Sequence, residues 1–386
     1  MSGRSHAAAP TPSAAAGALE DLPPLRAAGR LARLRERLEE AGVDAAVFFE
    51  PANVRWLTGF TGSNGTVVVR RSGEALLLTD GRYSEQAPAQ LAAAGCSGDV
   101  DVAVARRTVD AAKPWLQGAA RLGLEDTVSW GEQIRWNEAV AAETVPLSGI
   151  VESLRAVKDG AELARIEAAA SIADTALASV VPMLRPGTTE SHLQQALDGA
   201  IRSAGAPGPA YDTIVASGPN AALPHATPTD RRLESGDLVI IDVGALVDGY
   251  RSDMTRTFVL GDPSDRAAAM LEAVERSQAA GAAAVAPGVE AGEIDKACRA
   301  VIDDAGMGDA FVHGTGHGVG LDIHELPRVA SGSAATLEPG NVLTVEPGVY
   351  FPGFGGVRVE DLLVVTDSGC RPLTLHPKTS LVPLPA

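Results

Sequence analysis

Two aspartates, Asp242 and Asp253, are the first candidates for chemistry in this sequence. They lie in LESGDLVIIDVGALVDGYRSDMTRTFVL, residues 233–260, where one apolar run leads into the first aspartate and another follows the second. Asp248 and Gly249, between them, tolerate the positive φ angles of a tight two-residue turn, so the stretch predicts a β-hairpin. A hairpin would bring the two carboxylates into one region of the fold.

The register of this hairpin decides whether the two acids meet. If Val247 faces Tyr250 across the turn, Asp242 lies opposite Thr255 and Asp253 points to the same face as Asp242. The two residues are then diagonal neighbours, with Cα atoms about 7 to 8 Å apart, and can reach one cation from both sides. A turn one residue longer would place them on opposite faces. For an isolated hairpin, a solvated edge acid and a strand-end acid are the simpler interpretation.

An internal repeat gives these acids partners. RPGTTESHLQQALDGAIRSAG, residues 185–205, matches APGVEAGEIDKACRAVIDDAG, residues 286–306, and LESGDLVIID, residues 233–242, matches LEPGNVLTVE, residues 337–346. A long helical segment precedes each copy, so the C-terminal half predicts two related units of helix, helix and hairpin around a pseudo-twofold axis. The tenth position of the second match is an acid in both units, Asp242 and Glu346.

Each unit also carries a second acid on its returning strand. This acid is Asp253 in the first unit and Glu360, within GGVRVEDLLVVT, in the second. Four carboxylates in apolar strands would repel one another and be poorly solvated, which costs several kcal/mol per uncompensated charge. Bound divalent cations resolve this conflict, and oxygen-rich ligands suit ions such as Mn²⁺ or Co²⁺. Four carboxylates balance two such ions.

Three of the seven histidines, His313, His317 and His324, lie in HGTGHGVGLDIHE, directly before the second acid-bearing unit. A single histidine is more often structural than a ligand, and we interpret His6, His192 and His376 in that way. The alternating glycines of the motif allow close approach of the backbone, although a flexible loop is the simpler alternative. No strand with the spacing of a dinucleotide-binding motif leads into it.

The N-terminal half has the pattern of an α/β layer domain. Residues 25–42 carry leucines at helical spacing, and further helices are predicted over residues 81–95, 108–120 and 130–143. Five extended runs alternate with them, which indicates an α/β domain over residues 25–150. These runs are DAAVFFE, GTVVVR, EALLLTD, VDVAVA and RLGLE. The loop NVRWLTGFTGSNG is either an ordinary turn region or a wall of a neighbouring site.

Composition limits the possible functions. The 386 residues carry a net charge of -17, so we expect binding neither to nucleic acid nor to anionic membranes. The three cysteines have no CxxC spacing, so we expect reduced thiols and a cytoplasmic setting. We expect no membrane span, and residues 1–24, rich in Ala, Pro and Ser, are predicted to be a disordered leader.

These residues together resemble the pita-bread metallopeptidases, a family of aminopeptidase P, prolidase, methionine aminopeptidase and the inactive relative creatinase. The motifs DVGALVDGYRSDMTRTF, HGTGHGVGLDIHE, EPGVY and GVRVED carry the resemblance. WLTGFTGSNG, LLTDGRYSEQA and SGPNAALPHATPTDR bring the chain nearer to the Xaa-Pro aminopeptidases and dipeptidases. The resemblance implies an α+β fold, with a pita-bread domain over residues 151–386 behind a smaller creatinase/prolidase-type α/β domain.

The resemblance also implies site residues. The family's ordered set of metal ligands falls on Asp242, Asp253, His317, Glu346 and Glu360. Two divalent ions in such a set lower the pKa of a water and polarise a peptide carbonyl. Asp242 and Glu360 are then the candidate bridging ligands, and Glu346 also transfers a proton. The other candidate residues are His225 and His324 as donors to the carbonyl oxygen, His313 as a pocket residue, and Arg358, which either pairs with these acids or is solvated.

The resulting hypothesis is a dinuclear Xaa-Pro aminopeptidase, cytoplasmic and homodimeric, that acts on proline-containing peptides. Mn²⁺ is the first choice of metal, with Co²⁺, Zn²⁺ and Fe²⁺ as alternatives. An Xaa-Pro dipeptidase is the near alternative. A creatinase-like amidinohydrolase without metal, or a pita-bread scaffold that only binds proteins, would tolerate loss of ligands, and all five ligand positions are present.

Overall fold

The computed structural model describes residue 19, residues 21–378 and residues 381–383. The chain divides into an N-terminal unit, residues 23–155, and a C-terminal unit, residues 156–386, to which residues 1–22 also belong. Most of the predicted leader lies outside the described residues. Leu19 and Leu22, however, pack against the core of the C-terminal unit, so the end of the leader contributes to that core.

The N-terminal unit is built on one six-stranded sheet of order β4-β3-β2-β1-β5-β6. Its strands are β1 (Ala45–Phe48), β2 (Gly65–Arg70), β3 (Ala75–Thr79), β4 (Asp101–Val104), β5 (Arg121–Glu125) and β6 (Glu143–Leu147). Its helices are α1 (Arg30–Glu40), α2 (Pro51–Thr58), α3 (Gln86–Ala93), α4 (Thr108–Ala112), α5 (Trp130–Ala139) and α6 (Ile150–Arg155). Apolar side chains from the sheet and from α5, among them the fully buried Trp136, form one hydrophobic cluster of this unit, and α1, α2 and α3 bury further apolar residues.

Five of these strands were predicted, and the structure confirms them. The sixth, β6, was missed because its sequence ETVPL is short, only half apolar and contains Pro146. Proline has no amide hydrogen to donate, so it is tolerated on an edge strand, and β6 forms the edge of the sheet beside β5. The predicted helix over residues 108–120 is instead α4 followed by a 3₁₀ turn, Lys113–Leu116, which starts at a Lys-Pro pair.

The C-terminal unit contains the predicted duplication. Its first half comprises α7 (Gly160–Val180), α8 (Glu190–Ser203), β7 (Ile214–Ser217), β8 (Leu238–Asp242), β9 (Leu246–Val247), β10 (Tyr250–Arg251) and β11 (Thr255–Leu260). The second comprises α9 (Asp265–Ala284), α10 (Ala291–Asp304), β12 (Gly316–Gly318), β13 (Glu325–Val329), β14 (Val342–Val345), β15 (Gly348–Phe351), β16 (Gly355–Arg358), β17 (Asp361–Thr366), β18 (Gly369–Pro372) and β19 (Leu381–Val382). The helices of each half pack in a separate hydrophobic cluster, and Leu238 and Val259 from strands of the first half belong to the cluster of the second.

The hairpin register is confirmed. Tyr250 pairs with Val247 and Thr255 pairs with Asp242, as the two-residue turn requires. Asp248 and Gly249 have φ angles of 47° and 79°, so both turn residues are left-handed. The ladder is interrupted between β8 and β9 and between β10 and β11, and Asp253 lies in the second of these gaps.

The second hairpin repeats this design. Val345 pairs with Asp361, and Gly348 pairs with Arg358. The unchanged register on both sides of the gap places Glu346 opposite Glu360. Asp253, Glu346 and Glu360 therefore lie where the backbone ladder is interrupted, and Asp242 is the last paired residue before such a gap.

The sequence led us to expect no segment that could span a membrane, and one helical segment differs from that expectation. Gly160–Met183 is long and apolar enough to span a membrane by length and composition alone, but 61% of its most apolar window is buried inside the protein. That burial against the first repeat accounts for its composition.

Candidate metal centre

The five predicted ligands converge on one place in the C-terminal unit. Asp253, His317 and Glu360 offer ligand atoms that all lie within 4.8 Å of one another, close enough to hold a metal ion. His317 Nε2 also lies 3.4 Å from Glu346 Oε1 and 3.6 Å from Asp253 Oδ2. Asp242 joins the cluster through its charge, which raises the pKa of Asp253 after the larger effect of burial.

His317 is oriented for ligation by its own strand. Its Nδ1 lies 3.0 Å from the carbonyl oxygen of Gly318, to which it donates when Nδ1 carries the proton. The Nε2 lone pair then faces the carboxylates. Burial lowers the pKa of His317 to about 4, so the ring is neutral near neutral pH and its contacts with Asp253 and Glu346 are not ion pairs. A neutral imidazole held by a backbone carbonyl is the usual arrangement of a metal-binding histidine.

The carboxylates are crowded and buried. Burial, followed by the charges of neighbouring acids, raises the pKa of Asp253, Glu346 and Glu360 well above the usual carboxyl range. Thr255 Oγ1 donates to Glu360 Oε2 at 2.8 Å, which fixes that side chain across the two repeats. The raised pKa values show that the protein groups alone do not compensate the charge of these acids.

Arg358 is the one buried cation that pairs with this cluster among the described residues. Its Nη2 lies 2.6 Å from Asp242 Oδ2, and its guanidinium also donates to Thr255 Oγ1, Tyr350 Oη and the Pro224 carbonyl oxygen. The arginine is therefore paired rather than solvated. One guanidinium against four carboxylates leaves an excess of negative charge that divalent cations would neutralise.

Sequence reasoning missed Tyr211. Its Oη lies 2.5 Å from both Asp242 Oδ1 and Asp253 Oδ1, so one phenol bridges two of the acids. Gly244 makes room for it, because a Cβ there would lie 2.9 Å from the tyrosine ring and 1.9 Å from the Ser252 carbonyl oxygen. A single tyrosine in a loop has no spacing signal; the glycine in the DVG motif was the available clue.

The three candidate catalytic histidines occupy different environments. His225 and His324 are exposed, and the charge of His225 contributes to lowering the pKa of His324, after the larger effect of burial. The His324 ring stands edge-on to that of His317, with centroids 4.4 Å apart. His324 therefore borders the acid cluster with its ring accessible to a substrate, and His225 is close enough to interact electrostatically with His324.

His313 is held by the protein on both sides. Its Nδ1 lies 2.8 Å from the Gly314 carbonyl oxygen, and its Nε2 lies 3.0 Å from Tyr350 Oη, which in turn accepts from Arg358. Burial lowers the pKa of His313 to about 4. With both ring nitrogens occupied, this histidine suits a structural role beside the site better than donation to a substrate.

The donor set fits divalent metal ions. Four carboxylates and one imidazole are hard or borderline ligands, and they leave positions for water or a substrate. Which of the carboxylates bridge two ions stays a prediction.

The sequence matches known families over most of its length. Residues 164–367 match the model of metallopeptidase family M24, and residues 30–157 match the creatinase/prolidase N-terminal domain. The chain belongs to metallopeptidase family M24. It is therefore a hydrolase of the pita-bread fold with a creatinase-type N-terminal domain, and membership of M24 implies divalent metal ions.

Its relatives within M24 include enzymes of both predicted activities. The Xaa-Pro dipeptidase of Pyrococcus furiosus is 35% identical over 346 residues, covering 89% of this chain and 97% of that protein. The structure of the Xaa-Pro dipeptidase from Bacillus anthracis has 37% identity and a TM-score of 0.88, covering 92% of this chain and 100% of that one. The X-Pro aminopeptidase from Thermotoga maritima has 32% identity and a TM-score of 0.81, covering 92% and 99%.

Proposed function

We propose that this M24 metallopeptidase is an Xaa-Pro dipeptidase that hydrolyses the bond preceding proline in dipeptides. The observation that carries the proposal is the convergence of Asp253, His317 and Glu360, with Asp242 and Glu346 beside them. The dipeptidases among its relatives favour the shorter substrate over the aminopeptidase activity that we expected first.

The chain's own residues account for specific steps. When bound, divalent ions polarise the scissile carbonyl and lower the pKa of a water. Glu346, buried and with a raised pKa, accepts a proton and delivers it to the leaving proline nitrogen. His225 and His324, accessible beside the acids, donate to the carbonyl oxygen as it gains negative charge. Arg358 and Tyr211 hold Asp242 in place.

We infer that the site takes two ions and that Mn²⁺ is the native metal. Four carboxylates balance the charge of two divalent ions, and oxygen-rich ligands accept Mn²⁺ readily. The three cysteines are free, which supports the inference of a cytoplasmic enzyme. The homodimer remains a prediction from the family resemblance.

An Xaa-Pro aminopeptidase is the second candidate. It is supported by the Thermotoga maritima enzyme, which the chain matches over nearly the full length of both proteins. Both activities hydrolyse the bond that precedes proline. The dipeptidase substrate ends at the proline, whereas the aminopeptidase substrate continues beyond it.

A peptide-length series decides between them. The purified chain, loaded with Mn²⁺, is assayed against an Xaa-Pro dipeptide, the corresponding Xaa-Pro-Yaa tripeptide and a pentapeptide, with an Xaa-Ala dipeptide as the matched control. We expect cleavage of the dipeptide, with a sharp loss of kcat/KM for the longer peptides and for the Xaa-Ala control. Equal or faster cleavage of the longer peptides would assign the aminopeptidase activity, and cleavage of none would contradict both.

A further inference from the structure

A buried ion pair lies next to the candidate catalytic histidine His324. Lys158 Nζ lies 3.1 Å from Glu325 Oε2, and the two side chains are only 1% and 5% exposed. Lys158 precedes α7, whereas Glu325 begins β13 and directly follows His324. Neither residue belongs to the acid cluster or has a role in the proposed reaction. Two buried charges are costly to desolvate, so such a pair has a marked effect when one partner is removed.

The Glu325 carboxylate shapes the loop that carries His324. Its Oε1 accepts the amide hydrogen of Asp322 at 3.0 Å. Gly320 leaves room for this carboxylate, since a Cβ at this position would lie 2.5 Å from Oε2 and 2.8 Å from Oε1 of Glu325. The carbonyl oxygen of Gly320 accepts a hydrogen bond from the amide of Arg251, which lies next to the turn of the first hairpin. The loop is thus folded around one carboxylate.

This carboxylate is needed because the loop lacks a continuous ladder. Strands β12 and β13 pair at Gly318 and Glu325, with a register irregularity next to Gly318. The residues between these two positions, which include His324, have no strand pairing of their own. Besides the backbone bonds of Val319 and Gly320, the Glu325 carboxylate contributes to their conformation through the Asp322 amide.

Lys158 is itself fixed to the second repeat. Its amide donates to the Gly340 carbonyl oxygen at 2.9 Å, and Val157 forms an isolated bridge with Asn341. Gly340 has a φ of +92° and lies so close that a Cβ would be 3.0 Å from the Lys158 carbonyl oxygen. The turn of Gly340 leads directly into β14, which ends just before Glu346. Lys158 therefore connects the His324 loop to the strand that leads into Glu346.

We propose that Lys158 and Glu325 are positioning residues that hold His324 at the distance from the metal centre that the reaction requires. The proposal rests on the proposed function for the role of His324, but the part that concerns the loop does not. The ammonium neutralises Glu325, and Glu325 sets the path of the loop between Gly320 and His324.

Charge-pair variants test the proposal. Lys158→Met removes the ammonium group that pairs with the buried Glu325 and is expected to lower kcat on an Xaa-Pro dipeptide roughly 10- to 100-fold, with unchanged metal content. Glu325→Gln is expected to act similarly. The double variant Lys158→Met/Glu325→Gln removes both charges and keeps an oxygen for the Asp322 amide, so it should recover much of the loss. A double variant as slow as the product of the single effects would overturn the proposal.

A second cycle shows whether the pair acts through His324. In a His324→Ala background, Lys158→Met should cause little further loss of kcat, because the positioned group is already absent. The core variant Ile302→Val, in α10, controls for a general loss of stability and should not show this dependence. Full, multiplicative loss in the His324→Ala background, or loss of metal from Lys158→Met, would overturn the assigned role.

Hydrogen exchange provides a readout that does not require activity. We expect faster exchange of the amides in residues 319–329 in Lys158→Met, restored in the double variant, with exchange of the α10 amides unchanged. Unchanged exchange in residues 319–329 would overturn the proposal. If the wild-type chain cleaves no Xaa-Pro peptide, the proposed function fails, and this measurement still decides whether the pair holds the loop.

Discussion

The carboxyl groups of Asp253, Glu346 and Glu360 are buried side by side, and their crowding is the main physical feature of the site. Burial and the neighbouring acids raise the pKa of each group. Protons and metal ions therefore compete for the same oxygens. A site of this kind is stabilised either by protons or by divalent cations.

The Tyr211 hydroxyl bridges two of the acids, and its removal tests how far it orders them. Tyr211→Phe deletes the contacts with Asp242 and Asp253, so we expect metal affinity to fall roughly 10- to 100-fold. The measurement is a metal titration by calorimetry. Tyr83→Phe, which loses a hydroxyl bonded to Ser63 in the N-terminal unit, is the matched control and should bind metal like the wild type.

His324 offers a sharp test of the donor role. His324→Ala should lower kcat on an Xaa-Pro dipeptide by about 10²- to 10³-fold, the usual effect of losing one donor to a developing oxyanion, while the metal content stays constant. His192→Ala, on the exposed surface of α8, is the control and should retain wild-type turnover. A His324→Ala protein with near wild-type kcat would remove this residue from the mechanism.

Part of the site could be predicted at the level of residues. The acids followed from the repeat, because Asp242 and Glu346 end equivalent apolar strands and each has a partner on the returning strand. Tyr211 and Tyr350 were not predicted, because a lone aromatic residue in a loop or a strand has no periodicity that indicates a polar contact. Their hydroxyl groups reach the site only through the tertiary fold.

At the scale of elements, the first hairpin depends on Gly244. A Cβ there would lie 1.9 Å from the Ser252 carbonyl oxygen. Gly244→Ala must therefore push apart the two backbone segments of the hairpin next to Asp253. We expect a loss of at least about 1 to 3 kcal/mol in the free energy of unfolding, together with weaker metal binding.

Gly199→Ala, in the middle of α8 with open space around it, is the matched control for this variant. It should be neutral or stabilise the protein by about 0.5 to 1 kcal/mol, because alanine restricts the unfolded chain more than glycine does. Thermal unfolding and metal content of both variants provide the measurement. Equal behaviour of the two alanines would contradict the role of Gly244.

Sequence reasoning predicted the elements better than their interruptions. The Asp-Gly turn fixed the register of the first hairpin, since both residues accept the left-handed conformation. The gaps that separate β8 from β9 and β14 from β15 were not predicted, although Gly244 in the first and Pro347 in the second are residues that interrupt strands. Burial of acids at these gaps is a property of the packed sheets.

For the whole molecule, the raised carboxyl pKa values predict opposite pH dependences with and without metal. Because the folded pKa of Asp253, Glu346 and Glu360 exceeds the unfolded value, the metal-free fold binds more protons than the unfolded chain. These groups therefore make metal-free protein more stable as the pH falls below their raised pKa values, with the gain complete below the ordinary values of 3.8 and 4.5.

The stabilisation of the protein by bound metal should decrease as the pH falls, opposite to the trend of the metal-free protein. At a metal concentration of about 100 times Kd the ions add roughly 2.7 kcal/mol, and this contribution decreases as protons displace them on acidification. The measurement is the difference in Tm between metal-loaded and chelated protein from about pH 8 to about pH 5. We expect the difference to shrink with falling pH, and a constant difference would contradict metal binding by these acids.

The duplication explains why the architecture of the C-terminal unit could be predicted from one chain. The helices of each repeat pack in their own hydrophobic cluster, and Thr255 of the first repeat donates a hydrogen bond to Glu360 of the second. The length of the substrate could not be predicted in the same way, because the residues that bind the peptide beyond the proline have no catalytic spacing. The relatives, rather than the motifs, shift the proposal towards dipeptides.

The most direct test of the central claim is a Mn²⁺ titration of chelated, metal-free protein, followed by the rate of hydrolysis of an Xaa-Pro dipeptide. We predict no turnover without metal and a rise that saturates at about two ions per chain, as four carboxylates balance two divalent charges. Full turnover by the chelated protein, or no turnover at any metal concentration, would contradict the assignment of Asp242, Asp253, His317, Glu346 and Glu360 as the catalytic metal centre.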